Sequence, residues 1–234
     1  MQKAYRLAAR LQKKEKVVNS LTLKLIAWAC ILCGAIGTVF FSGEESFKAR
    51  GFLVYISYVA LPICSFLLVE GVRNTSDFKK YLLTMLGAAV ISEPFYDFAQ
   101  SGSWLNFEYQ NPMFSLAVCL VMVYFLDMPS KNRAAAIITK GVVIVATLLW
   151  TVILRLEHGW YLTVVTALFF LIPQRKIIRN IIIAVFSLLV LATPEVALLP
   201  ISKYKGQRGG YNKFIFYGLY PAMWLILVVI KSLL

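Results

Sequence analysis

Four stretches of this chain, Leu25–Phe41, Phe52–Val69, Val142–Leu154 and Phe214–Ile230, carry no charged residue. A helix needs about 20 apolar residues to cross the hydrocarbon core of a bilayer, within a range of roughly 17–25. Runs of this length rule out an ordinary soluble core. Composition agrees: 60% of residues are hydrophobic and the mean hydropathy is +0.74. The sequence therefore describes an all-α polytopic membrane helix bundle. Any function resides in the few polar groups kept near or inside the membrane.

Eight spans are expected, at about 21–41, 52–70, 80–98, 113–127, 136–154, 160–173, 177–198 and 213–231. The fourth and sixth are short, and the sixth suits a tilted, re-entrant or partly buried helix. Two units follow: a basic, mildly amphipathic segment over 1–20, expected on the cytoplasmic membrane surface, and a transmembrane domain over 21–234. No short apolar stretch with a small-residue cleavage site follows the charged start, so no cleavable signal peptide is expected.

The net charge of +13 would suit nucleic acid in a soluble chain. Among apolar spans it reports membrane orientation, and no nucleic-acid partner is expected. With both termini in the cytoplasm, 17 of the 24 Lys and Arg residues fall inside, as the positive-inside rule asks. One segment runs against this bias. Residues 203–213, expected outside, hold Lys203, Lys205, Arg208 and Lys213. Glycines at 206, 209 and 210 permit tight turns there, and Arg208 is a candidate clamp for a phosphate or carboxylate.

The third span holds the main polar anomaly. In Ile91-Ser-Glu-Pro-Phe-Tyr-Asp97, Glu93 and Asp97 share one helix face and Pro94 frees a backbone carbonyl. Glu93 is a candidate acid/base or ion-pair partner, whereas Asp97 reads as an interfacial carboxylate. Gln110-Asn111-Pro112 opens the fourth span, where an amide can cap the helix or orient a substrate. His158 is the only histidine and is the candidate general base of that type. It is equally an ordinary interfacial residue beside Trp160 and Tyr161. No metal site is expected, because no second histidine or cysteine cluster supplies ligands. Cys30, Cys33, Cys64 and Cys119 all lie in apolar runs and read as small buried hydrophobes, despite the redox-like spacing of the first two. Neither a phosphate-binding glycine loop nor a Gly-x-Ser-x-Gly nucleophile turn occurs.

An ordered set of segments carries a resemblance: Leu23-Lys-Leu-Ile-Ala27, Leu61-Pro-Ile-Cys-Ser-Phe-Leu-Leu-Val-Glu-Gly71, Lys79-Lys-Tyr-Leu-Leu83, Ile91-Ser-Glu-Pro-Phe95, Gln110-Asn111, Lys205-Gly-Gln-Arg-Gly209 and Phe216-Tyr-Gly-Leu-Tyr-Pro221. Over about 23–231 the chain resembles the TraX family of multi-pass bacterial membrane proteins, associated with conjugal transfer and fimbrial assembly. The resemblance implies an acyltransferase-like fold. It also implies an N-acyltransferase activity on a pilin-like or other secreted peptide, with acetyl-CoA or another acyl-CoA as donor and no bound cofactor. On that reading Glu93 and His158 are the catalytic candidates. Gln110, Asn111, Arg208 and Tyr220 are the substrate-binding candidates.

The departures from the family pattern matter equally. Gly34-Ala35 stands where relatives carry an Asp-His pair, Tyr58 where they carry an Arg, and Met223 where they carry the His of Tyr-Pro-x-His. Acyl transfer needs a base for the nucleophile and donors for the developing oxyanion. Gly, Ala and Met supply neither. Two readings follow: an acyltransferase with a divergent site, or a pseudoenzyme that keeps the scaffold as an assembly, immunity or binding partner. A small transporter is a weaker reading, because no inverted repeat is visible.

Overall fold

The computed structural model describes residues 18–41, 47–130, 132–191, 195–207, 209–210 and 214–234. Residues 1–17 of the expected N-terminal segment, and Arg208, lie outside the described residues. The described chain is helical throughout, with two isolated backbone bridges, and the expected all-α membrane bundle is what it forms.

The helices are α1 (Ser20–Phe40), α2 (Phe47–Ser57), α3 (Ala60–Asn74), α4 (Phe78–Ser101), α5 (Pro112–Leu126), α6 (Arg133–Ile153), α7 (Gly159–Leu171), α8 (Lys176–Leu191), α9 (Glu195–Ser202) and α10 (Ile215–Leu233). Their starts follow from local chemistry. Asn19, Asp77, Asn111 and Asn132 each accept a first-turn N–H on a side-chain oxygen, satisfying donors that a helix start leaves bare. Pro112 adds a preset first position to α5. Gly102, with φ 74°, closes α4 in the left-handed conformation.

Ser20–Phe40, Phe47–Asn74, Arg133–Ile153 and Ile215–Leu233 are long and apolar enough to cross a membrane. The second of these bends at Tyr58–Val59, where α2 gives way to α3. Pro62 accounts for the bend: it has no N–H for the Tyr58 carbonyl, and its ring crowds that carbonyl. α7 has 13 residues, about 20 Å at 1.5 Å per residue, so it is shorter than the hydrocarbon core. Small residues set the closest helix contact. A Cβ on Gly34 would lie 2.5 Å from the Ser57 Cβ, and one on Gly37 would lie 2.8 Å from the Leu53 Cβ. The backbones of α1 and α2 meet there as small-residue stripes allow in membranes.

Two sequence expectations need correction. The seventh span, expected over 177–198, is divided into α8 and α9. In addition, the basic loop does not lie across the bilayer from the start of α1. The Ser20 N–H donates to the Gln207 carbonyl at 2.8 Å, and Val18 and Tyr204 form a parallel backbone bridge. Lys203 and Lys205 thus sit at the same end as the start of α1, and their exception to the charge bias disappears. α10 then runs parallel to α1. Lys24 lies over the Phe216 ring near the start of both helices, and Val39 shares a core cluster with Leu227 and Val228 near the end of both. The last helix therefore finishes opposite the end where α1 begins. The end holding the starts of α1, α4, α6, α8 and α10 is called the basic end below, and the other the far end.

Candidate functional site

The far end gathers polar groups from four segments. Backbone pairing builds the frame. The Gln110 N–H donates to the Arg155 carbonyl and the Glu157 N–H donates to the Gln110 carbonyl, both at 3.0 Å. The segment before α5 is thereby fixed against the turn before α7. The Ser115 hydroxyl donates to the Glu157 carbonyl at 2.6 Å and holds that turn from α5. The turn is strained: Arg155 (φ 51°) and His158 (φ 54°) both adopt the left-handed region, at about 1–2 kcal/mol per residue. Gly159 follows because a Cβ there would lie 2.6 Å from the Thr151 Cβ. Such strain persists only where the surroundings over-determine it, typically at functional sites.

Two carboxyls occupy this frame. Glu93 Oε2 accepts from the Asn111 backbone N–H at 3.2 Å and also from the Asn111 side-chain amide. That amide also donates to the Ala89 carbonyl at 2.9 Å, while Asn111 Oδ1 accepts from the Met113 N–H at 2.9 Å. Asn111 is fully buried, so it caps α5 and locks α5 to α4 at once. Glu157 Oε2 accepts from the Tyr96 hydroxyl, which in turn accepts from Gln100 Nε2 at 3.1 Å. Glu157 Oε1 lies 3.6 Å from His158 Nε2, beyond a good hydrogen bond. The His158 ring stands edge-on to Tyr58, with centroids 5.3 Å apart. Asp97 is buried and accepts from the Asn106 N–H at 2.9 Å, anchoring the loop after α4.

An aromatic wall completes the site. Tyr96 and Tyr220 each meet Trp224 edge-on, at 5.1 and 6.4 Å between centroids. Ala35, Tyr96, Tyr220, Met223 and Trp224 form one buried cluster. Glu93 Oε1 and Trp224 Nε1 are enclosed and have no hydrogen-bond partner among the described residues.

The structure therefore brings Glu93, Gln110, Asn111 and His158 into one frame, with Tyr220 beside them. Of the loop around position 208, Gln207 and Gly209 lie against Ser20 and Leu21 at the basic end. The pairing of Glu93 with Arg208 rests on a residue outside the described set; Glu93 is held by Asn111 instead. Sequence reasoning missed Glu157 and Tyr96 as site residues. Tyr96 lies one turn from both Ser92 and Gln100 on α4, so its burial was readable, but its bond to Glu157 spans 61 residues and has no sequence signal. Among the described residues no cluster of His, Cys, Asp and Glu could hold a metal.

Three of the positions at which the resemblance implies a departure from relatives lie close by, and the fourth packs against α2. Ala35 and Met223 meet in the aromatic cluster, Tyr58 touches His158, and Gly34 abuts α2.

A family model described as TraX protein matches residues 19–231. No curated protein and no solved structure matches the chain.

Proposed function

The chain belongs to the TraX family, and we propose that it is a membrane protein of pilus-related processes that holds the amino group of a pilin-like or other secreted peptide without acylating it efficiently. One observation carries this reading. Glu93 Oε1 is enclosed and unpartnered, near a second carboxyl and beside Tyr96, Tyr220 and Trp224. A protonated amine supplies N–H donors and a positive charge. Carboxylates and aromatic faces both favour such a cation in a poorly solvated site. Neutral donors, an amide and a phenol, hold the carboxyls, so the charge that would attract an amine is not cancelled by an ion pair.

The groups that would turn binding into acyl transfer are replaced. Transfer to an amine requires a base to take the ammonium proton and donors for the oxyanion. Gly34 is packed against Ser57, and Ala35 and Met223 fill their positions with apolar atoms. This favours the assembly, immunity or binding role over the ordinary family chemistry.

A second reading rests on the pair of Glu157 and His158, 3.6 Å apart. A carboxylate that orients an imidazole is a workable base. In that case acetyl-CoA or another acyl-CoA donates the acyl group to the same amine. The test is release of free CoA thiol by purified protein given acetyl-CoA and a pilin-like peptide. Background release supports the binding role. Turnover that falls at least a hundredfold in His158→Ala or Glu157→Gln replaces it with the enzyme.

A further inference from the structure

Past the far end of α4 the chain exposes a run of large apolar side chains that the far-end site does not use. In the loop over 102–110, Trp104, Leu105, Phe107 and Tyr109 are 53%, 69%, 73% and 63% exposed, and Glu108 is the only charged residue. The backbone of this loop is pinned. The Asn106 N–H donates to Asp97 Oδ2 at 2.9 Å, the Glu108 N–H to Asn106 Oδ1 at 3.0 Å, and the Ser103 hydroxyl to the Leu105 carbonyl at 3.1 Å. The loop leaves from the end of α4 and returns at Gln110, which is paired to the turn before α7. Large apolar groups held outward so close together form a patch that water disfavours.

Two observations say what covers it. The first is continuity with the apolar side of α4. That helix has 24 residues, about 36 Å at 1.5 Å per residue, enough to cross the hydrocarbon core. Leu83, Val90 and Ile91 are exposed along it, where a spanning helix meets acyl chains. Phe95 and Phe98 follow Ile91 by one and two turns, and Trp104 packs on both, at 6.2 and 4.6 Å between centroids. The apolar line of α4 thus runs on into the loop. The second observation is where tryptophan is exposed. Of the five tryptophans, the three that are exposed are Trp104, Trp150 and Trp160. All lie at the far end: after α4, in the last turn of α6 and at the start of α7. Trp and Tyr gather at membrane–water interfaces, where the ring is buried and the N–H or O–H stays hydrated.

We propose that the loop over 102–110 is an interfacial anchor, with Trp104 and Tyr109 at the headgroup level and Leu105 and Phe107 inserted among the upper acyl chains of the far-end leaflet. Burial of apolar area drives the insertion. The loop holds no Lys or Arg, so the anchor has no need of an anionic lipid. Its pinned backbone leads directly into Gln110 and Asn111, which ties the Glu93 frame to the bilayer surface whether or not that frame receives an amine.

The test uses full-length protein in proteoliposomes. An environment-sensitive fluorophore is placed on Leu105→Cys, on Phe107→Cys and, at the basic end, on Lys203→Cys. The signal of the unaltered protein, which has four cysteines, is subtracted. The quenchers are phosphatidylcholine brominated high on the acyl chain and aqueous iodide. Labels at 105 and 107 should be quenched several-fold more than the label at 203 by brominated lipid, and several-fold less by iodide. Adding phosphatidylglycerol to the vesicles should leave both ratios unchanged. If a cysteine variant does not fold, Trp104→Phe decides the matter: it should remove a component of the intrinsic fluorescence that brominated lipid quenches and iodide does not. Labels open to iodide and insensitive to brominated lipid overturn the proposal and leave an aqueous face. Labels hidden from both quenchers overturn it as well, by placing a protein partner or a second copy on the loop, and so does insertion seen only with phosphatidylglycerol.

Discussion

The two ends of the bundle bury polar groups of opposite sign and settle them differently. At the far end the carboxyls of Glu93 and Glu157 are held by neutral donors that are distant in sequence: Asn111 lies 18 residues from Glu93, and Tyr96 lies 61 from Glu157. At the basic end, Arg179 is held by its own neighbour Asn180 and by the Phe169 ring. Neutral partners satisfy hydrogen bonds without cancelling charge. Each end therefore keeps the sign of its buried group, acidic at one end and basic at the other. Each long-range bond also ties α4 to another segment, the start of α5 or the turn before α7, whereas the Asn180 contact ties α8 only to itself.

The sharpest way to break this comparison is topological. Reporter fusions after Gln207 and after Leu234 should score in opposite compartments, the first matching the side where α1 begins. Fusions that report the same compartment would undo the assignment of ends. The next largest effect is expected for Asn111→Ala. It removes a helix cap, worth about 1 kcal/mol, and leaves the buried Glu93 carboxyl short of donors, at about 1–3 kcal/mol. Denaturation in detergent micelles should show a loss of about 3 kcal/mol. An unchanged midpoint would mean that the lock between α4 and α5 carries little.

Gly34→Asp should lower stability by about 1–3 kcal/mol through overpacking against Ser57, and Ser57→Gly should recover part of it. Neither variant should raise CoA release, because Ala35 and Met223 remain. The smallest effect belongs to Tyr96→Phe, which deletes one hydroxyl between Glu157 and Gln100. About 1 kcal/mol of stability is expected to go, read as a modest fall in melting temperature. A fall as large as that of Asn111→Ala would make the Glu157 side, rather than the Glu93 side, the main tie of the far end.

The sequence made the helices legible and much of the site illegible, for physical reasons. Apolar runs and Asn or Asp caps mark where helices lie, because a cap is a contact over two or three residues. The bend at Tyr58 was hidden because Pro62 lies inside an apolar run that reads as one span. The side of the basic loop was misread because alternation assumes one crossing per apolar run, and the run over 177–198 is split into α8 and α9. Glu93, Asn111 and His158 stood out as polar groups at span ends, yet Glu157 was legible only as the neighbour of His158. Its link to Tyr96 depends on how α4 and the turn before α7 meet, which no local pattern encodes.

The central claim is that the far end receives an amine as a cation and does not transfer an acyl group to it. The most direct measurement is the affinity of purified protein for a pilin-like peptide with a free amino terminus, compared with the same peptide N-acetylated. The free form should bind at least tenfold more tightly, with the preference abolished in Glu93→Gln and weakened in Glu157→Gln. Equal affinity for the two peptides, or a preference that survives both substitutions, would contradict the account.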